Sequence, residues 1–93
     1  MAYKLFYHPK VKEDDLPSID SSVKKRIFTT IKSRLTTEPQ KYGKPLRKPL
    51  LRYWKLRIGD YRVVYKIVKN EVWVLAILHR ERIYPLAIKR LRK

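Results

Sequence analysis

Three cations, Lys55, Arg57 and Arg62, are spaced so that a β-hairpin would bring them to one face. Gly59-Asp60 separates two runs of β-branched and aromatic residues, which is typical of a two-residue hairpin turn. This turn predicts that Arg57 lies directly opposite Arg62. Like charges facing each other across a sheet are unfavourable by a few tenths to about 1 kcal/mol. Because folding alone would not select this pair, we predict that an anionic group binds here.

The net charge of the chain limits what that group can be. The 93 residues include 24 Lys or Arg and 8 Asp or Glu, giving a net charge of +16. Such an excess favours polyanionic partners such as nucleic acid, the ribosome, an anionic membrane or an acidic protein. Cysteine is absent, which excludes a disulfide framework and a thiol nucleophile and fits a cytoplasmic location. With no apolar run of about 18 residues and no metal or cofactor motif, we expect no membrane span, no metal and no cofactor.

Each hairpin strand is expected to have one apolar and one basic face. The apolar face carries Trp54, Leu56, Ile58, Tyr61, Val63 and Tyr65 and should pack beneath a helix bearing Ile27, Ile31 and Leu35. The other face carries Tyr53, Lys55, Arg57, Arg62, Val64 and Lys66 and should meet the anion.

The elements that position the hairpin follow from hydrophobic spacing. They are a strand over 1–7, a short helix over 10–19, a helix from 20–22 to about 36, a basic loop, the hairpin over 52–66, a strand over 71–78 and a C-terminal helix containing Pro85 and ending in Arg92 and Lys93. We therefore predict a single small α+β domain over residues 1–93. It would have an N-terminal strand and a helix pair packed on a mainly antiparallel four-stranded sheet, and a short C-terminal helix. We expect all the helices to pack on one face of this sheet.

Basic residues concentrate before the hairpin and at the end of the chain, and all charged residues between Pro39 and Gly59 are basic. A solvated surface is the plainer interpretation for any single Lys or Arg. Together, however, these segments predict an RNA-binding surface that comprises Lys41, Lys44, Arg47, Lys48, Arg52, Tyr53, His79 and Arg82. His79 could act in proton transfer or be a structural hydrogen-bonding residue at a strand end.

The segment "YWKLRIGDYRVVYKI" and the strand ending in "HRERIY" resemble the RelE/ParE toxin superfamily of bacterial and archaeal toxin–antitoxin systems. The resemblance covers nearly the whole chain and implies the same fold. In this superfamily the RelE branch cleaves messenger RNA in the ribosomal A site, whereas the ParE branch poisons DNA gyrase. The fold therefore does not decide the function.

The resemblance to the RelE branch implies a set of active-site residues. That site has a basic pair spaced K-x-K on the second strand, an arginine opening the third, an arginine ending the fourth and a tyrosine before the last helix. The matching positions are Lys55, Arg57, Arg62, Arg80 and Tyr84. This chain departs from the pattern by having Arg57 in place of a second lysine, and only one residue separates Arg82 from Tyr84.

These residue types suit cleavage of RNA without a metal ion. The three arginines keep their protons and bind phosphate oxygens, so they would stabilise charge developing on phosphorus. Lys55 is the candidate base, because a lysine among several cations releases its proton more readily. Tyr84 would either stack on a base or donate a proton.

The resemblance thus implies a type II toxin that is a metal-independent, ribosome-dependent endoribonuclease acting by attack of the 2′-hydroxyl on the phosphate. Its expected partners are mRNA on the ribosome, with contacts to 16S rRNA, and an acidic cognate antitoxin. Two alternatives stay open: a ParE-like gyrase inhibitor without nuclease activity, and a basic RNA- or ribosome-binding module. Lys55, Arg57 and Tyr84 favour the nuclease over both.

Overall fold

Five strands form one mixed sheet in the computed structural model, which describes residues 2–91. In chain order the strands are β1 (Lys4–Tyr7), β2 (Lys44–Pro45), β3 (Tyr53–Ile58), β4 (Tyr61–Val68) and β5 (Glu71–His79). The helices are α1 (Ser21–Leu35), α2 (Pro39–Tyr42) and α3 (Ile83–Leu91), and a π-helical turn (Val11–Asp15) and a 3₁₀ turn (Leu16–Ser18) precede α1. The spatial order is β1-β5-β4-β3-β2, with β1 parallel to β5 and all other pairs antiparallel. The predicted α+β class is confirmed.

The central hairpin has the predicted register. Arg57 lies opposite Arg62, and Leu56 lies opposite Val63. Gly59 in the turn has a φ of 59°, a left-handed conformation that glycine adopts without steric cost. The alternation of side chains therefore separates the two faces of the hairpin as expected.

Helix α1 covers one face of the sheet. Asp20 caps its N-terminus by accepting a hydrogen bond from the backbone N–H of Ser22 at 3.2 Å. The helix then buries the predicted apolar stripe in a core shared with the hairpin, consisting of Ile27, Ile31, Leu35, Leu56, Val63 and Tyr65, with Trp54 partly buried against it.

The prediction that all helices lie on one face is wrong, because α3 covers the opposite face. Val64, expected among the basic residues of that face, is fully buried in a second core with Ala76, Ile83 and Ala87. The cause is β5, whose run "VWVLAIL" is apolar on both sides and so requires cover on both. Only the part of that face beyond α3 remains available for the basic residues.

Other differences concern the edges of the sheet. The sheet has five strands and not four, because part of the predicted basic loop forms β2, which pairs Lys44 with Lys55. Pro39 begins the single turn of α2, where its missing N–H is tolerated. Helix α3 begins at Ile83, and its predicted end at residues 92–93 lies outside the described residues. Within residues 2–91, no helix is long and apolar enough to cross a membrane.

A buried ion pair between Asp15 and Arg90 binds the backbone of β5 where β1 does not pair with it. Strand β1 pairs only with residues 71–74, and a register shift leaves Leu75 without a partner in β4. Arg90 donates hydrogen bonds to Asp15 at 2.6 and 2.8 Å and to the Leu75 carbonyl at 3.0 Å. Asp15 in turn accepts from the backbone N–H of Ile77 at 2.9 Å. The pair thus satisfies backbone groups that would otherwise be buried without partners.

Candidate functional site

The three cations that prompted the sequence prediction line a shallow cleft of about 160 Å³. Lys55 and Arg57 extend from β3 and Arg62 from β4, on the face that α3 only partly covers. Tyr42 and Lys44 complete the wall of this cleft. We refer to the group formed by Lys55, Arg57, Arg62, Tyr42 and Lys44 as the basic cleft.

A close contact between the α2–β2 corner and β4 brings Tyr42 and Lys44 to the basic cleft. The hydroxyl of the buried Tyr65 donates a hydrogen bond to the Pro39 carbonyl at 2.7 Å. Burial raises the pKa of Tyr65, which keeps this donor protonated. Gly43 lies against the same hydroxyl, where a Cβ atom would collide with it. Tyr42 is not among the residues predicted from the sequence, because no local pattern reveals this long-range contact.

The positive charges of the basic cleft lack internal neutralisation. Among residues 2–91, no carboxylate forms an ion pair with Lys55, Arg57 or Arg62. Arg62 donates through Nη1 to the carbonyls of Gly59 and Tyr61, both at 2.9 Å, which ties its guanidinium to the hairpin. Since a guanidinium has five N–H donors, these two bonds leave capacity for phosphate oxygens. The cleft is therefore chemically suited to an anion.

Helix α3 brings Tyr84 to the same place. The Lys55 ammonium lies 5.9 Å from the centroid of the Tyr84 ring, within the range of a cation–π contact. The tyrosine that the sequence assigns to the site is thus adjacent to the candidate base.

The end of β5 is tied to the hairpin turn. The backbone N–H of Arg80 donates to the Asp60 carbonyl at 2.8 Å, so Arg80 lies at the same end of the sheet as Arg62. The side chains of Arg80 and Arg82 are exposed. These two residues therefore flank the basic cleft without lining it.

His79 lies on the other side of the sheet. Its ring contacts Tyr61 at a centroid distance of 5.8 Å, and Tyr61 packs against the core beneath α1. Its Nδ1 accepts a hydrogen bond from the backbone N–H of Glu81 at 3.3 Å. The structure thus does not bring His79 into the basic cleft and gives it a structural hydrogen bond.

The remaining predicted RNA-binding residues do not line the basic cleft and lie on the elements that carry or adjoin it. Arg47, Lys48 and Arg52 are exposed in the segment that joins β2 to β3. This segment is anchored by the buried Leu50, whose N–H donates to the Arg47 carbonyl at 2.8 Å. Lys41 is exposed on α2 and forms an ion pair with Glu38 at 3.7 Å. Tyr53 is half-buried on β3, on the same face as Lys55. Among residues 2–91, no cluster of His, Asp or Glu could hold a metal ion.

Solved structures similar to this chain include toxins and toxin–antitoxin complexes. The toxin–antitoxin complex RelBE2 from Mycobacterium tuberculosis contains a chain with 27% identity and a TM-score of 0.79, covering 86% of this chain and 93% of that one. An archaeal RelE–RelB complex from Pyrococcus horikoshii gives 26% identity and a TM-score of 0.65, with 88% and 99% covered. A mutant of the E. coli toxin RelE in the free state shares the fold, with 22% identity, a TM-score of 0.68 and 98% and 99% covered.

Comparison with protein families identifies the chain. No curated protein sequence matches it. Residues 5–84, which span the sheet, the basic cleft and Tyr84, match the ParE toxin family of type II toxin–antitoxin systems, parDE. The resemblance to the RelE/ParE superfamily is thereby confirmed: the chain belongs to this family and is a toxin of a type II toxin–antitoxin system.

Proposed function

We propose that this toxin is a metal-independent endoribonuclease that cleaves mRNA in the ribosomal A site. The observation that carries this proposal is the convergence of Lys55, Arg57 and Arg62 on one cleft without a carboxylate partner among the described residues. A surface that only had to be soluble would not place like charges opposite each other.

In the proposed reaction the 2′-oxygen of one nucleotide attacks the adjacent phosphorus. The P–O2′ bond forms and the P–O5′ bond breaks, which leaves a cyclic phosphate and a free 5′-hydroxyl. Lys55 is the base that takes the proton of the 2′-hydroxyl. Arg57 and Arg62 stabilise the charge on the phosphate oxygens, and Arg80 adds a third guanidinium from the end of β5.

Tyr84 has two possible roles in this reaction. Its position beside Lys55 is compatible with stacking on a nucleobase and with donating a proton to the leaving 5′-oxygen. Replacement by phenylalanine separates these roles, because phenylalanine retains the ring and loses the proton.

The proposed partners follow from charge. The exposed Arg47, Lys48 and Arg52 would contact 16S rRNA while mRNA occupies the basic cleft, in the cytoplasm where ribosomes are found. An acidic cognate antitoxin would neutralise part of the +16 net charge. The RelB–RelE complexes among the similar structures support an antitoxin as partner.

The test is single-turnover cleavage of mRNA on saturating ribosomes, with ribosome binding measured separately. Lys55→Ala, Arg80→Ala and Tyr84→Phe should each slow cleavage by roughly 10²- to 10³-fold, since each removes a positioned donor or proton-transfer group. Ribosome binding should change far less. Lys25→Ala, which removes an exposed cation on α1, should cleave like the wild type.

The second candidate is a gyrase inhibitor, favoured by the match to the ParE toxin family. DNA supercoiling by gyrase should therefore be assayed in parallel with cleavage. Wild-type cleavage rates in all three variants would contradict the catalytic assignment. Inhibition of supercoiling by a chain that does not cleave RNA would establish the second candidate.

A further inference from the structure

A row of aromatic and cationic side chains crosses the sheet beyond α3, away from the basic cleft. Trp73 of β5 lies opposite Lys66 of β4, and Lys66 lies opposite Tyr53 of β3. Phe6 of β1 is the partner of Trp73 on its other side. Because partners in register share a face, these four side chains lie on the face that carries the basic cleft. The proposed cleavage reaction uses none of Phe6, Lys66 and Trp73.

Trp73 is held in place although it is 38% exposed. Its ring stacks on that of Phe6, with centroids 4.4 Å apart and an angle of 16° between planes. Its indole N–H donates to the Glu71 carboxylate at 3.0 Å. A large ring fixed in this way costs little further conformational entropy when it binds a ligand.

A cavity of about 190 Å³ lies beside this ring and is lined by Trp73, Lys66, Tyr53 and Leu75, among others. Strand β4 separates the strands that carry Trp73 and Tyr53, so the Lys66 side chain stands between these two residues. Phe6 covers one face of the Trp73 ring, and the residue is still 38% exposed. The uncovered part of the Trp73 ring therefore offers a stacking surface for one planar ring of a ligand.

The charged side chain that lines the cavity indicates which class of ligand would bind there. The Lys66 ammonium lies 5.9 Å from the centroid of the Tyr53 ring. Partial burial raises the pKa of Tyr53, so its hydroxyl stays neutral and does not repel an anion. A lysine at this position disfavours cationic ligands and favours a ligand that combines a planar ring with an anionic group. A nucleotide has both properties.

We propose that this cavity, which we call the slot, binds one unpaired base of single-stranded RNA, stacked on Trp73, with Lys66 contacting its phosphate. This inference builds on the proposed function, because it gives the RNA a second contact on the face of the sheet that carries the basic cleft. Tyr53 and Arg57 are four residues apart on β3, about 13 Å. At about 3.4 Å per stacked nucleotide, roughly four nucleotides span this distance.

The probe is an oligoadenylate of eight nucleotides with 2′-O-methyl groups throughout, which cannot undergo attack by a 2′-hydroxyl. In the Trp54→Phe variant, Trp73 is the remaining tryptophan and the fluorescence reports on it. Titration of the oligoadenylate into this variant should quench that fluorescence. Anisotropy of the labelled probe should show affinity losses of roughly 5- to 150-fold for Trp73→Ala and for Tyr53→Leu. Tyr53→Leu retains an apolar side chain in the second core. Lys66→Gln should reduce the slope of log affinity against log salt concentration by about 0.7, because one phosphate contact is lost.

The controls distinguish base stacking from attraction between charges, and binding in the slot from cleavage in the basic cleft. An abasic oligomer with the same number of phosphates should bind more weakly and should not quench Trp73. Val68→Ala, at an exposed position on β4, should bind the probe like the wild type. Lys55→Ala should retain quenching by the probe even though it loses cleavage.

The outcomes distinguish this inference from the proposed nuclease. If the oligoadenylate quenches the fluorescence of Trp73 in a chain that cleaves no mRNA, the result would support the slot and contradict the proposed nuclease. Cleavage of mRNA without any effect of the oligoadenylate on Trp73 would overturn the slot. Equal affinity for the abasic and the complete oligomer, or unchanged binding by Trp73→Ala, would also overturn it.

Discussion

Arginine is used in opposite ways in two regions of this toxin. At the open edge of β5, the Arg90 side chain is almost completely buried and donates hydrogen bonds to Asp15 and to the Leu75 carbonyl. On the hairpin, Arg57 is exposed and faces another arginine, Arg62. The buried arginine has its partner within the chain and supports the fold. The hairpin arginines have no acidic partner among the described residues, which is the arrangement expected of a site for an external anion.

Removal of the buried carboxylate should give the largest loss of stability. Asp15→Ala leaves Arg90 buried without its counter-ion and leaves the Ile77 N–H without an acceptor. We expect the free energy of unfolding to fall by about 3 to 5 kcal/mol, measured by denaturant titration. The matched control is Asp14→Ala, because Asp14 is exposed and only 3.9 Å from Lys10, a pair worth less than about 1 kcal/mol. Equal losses in both variants would contradict the structural role of Asp15.

The Arg90→Lys variant tests whether the buried arginine stabilises the fold through its charge or through its shape. Lysine keeps the charge, but a single ammonium cannot reproduce the guanidinium fork across both Asp15 oxygens and the Leu75 carbonyl. We expect unfolding to become easier by about 1.5 to 3 kcal/mol, the usual value of one hydrogen bond to a charged group. A lysine variant as stable as the wild type would show that charge alone is sufficient.

Arg57→Gln should have the smallest effect on stability, and of opposite sign. It removes one of two like charges on paired positions, so the free energy of unfolding should stay constant or rise by up to about 1 kcal/mol. Cleavage on the ribosome should nevertheless fall by roughly 10²- to 10³-fold. Lys25→Gln on α1 is the control and should alter neither quantity. A loss of more than about 1 kcal/mol would mean that Arg57 supports the fold, and the contrast with Arg90 would disappear.

The parts of the fold that follow from local periodicity could be predicted from the sequence. Strict alternation in β3 and β4 gave the register around Gly59-Asp60, and therefore the shared face of Lys55, Arg57 and Arg62. Contacts between distant segments could not be predicted. Asp15 and Arg90 are 75 positions apart and look like ordinary surface charges in the sequence. The second helical layer was missed, although the apolar character of both faces of β5 indicated it.

An irregularity in β5 decides on which face of the sheet His79 lies, and strict alternation of side chains along the strand would have given the wrong face. In an unbroken strand, residues 73 and 79 would lie on the same face, the one that carries the basic cleft. The extra residue Leu75 shifts the register of β5, so Val74 and Ile77 both belong to the core beneath α1. His79 follows Ile77 to that side. No residue type in the run "VWVLAIL" marks the position of such a bulge.

The Asp15–Arg90 pair also affects how this toxin behaves toward other chains. Within residues 2–91, no strand pairs with β5 beyond Val74 on its β1 side. An uncovered strand edge is a template for association with foreign strands. Asp15 occupies the Ile77 N–H and Arg90 occupies the Leu75 carbonyl, so an incoming strand finds neither group available. The pair that fixes α3 therefore also protects this highly basic protein from aggregation through its own sheet.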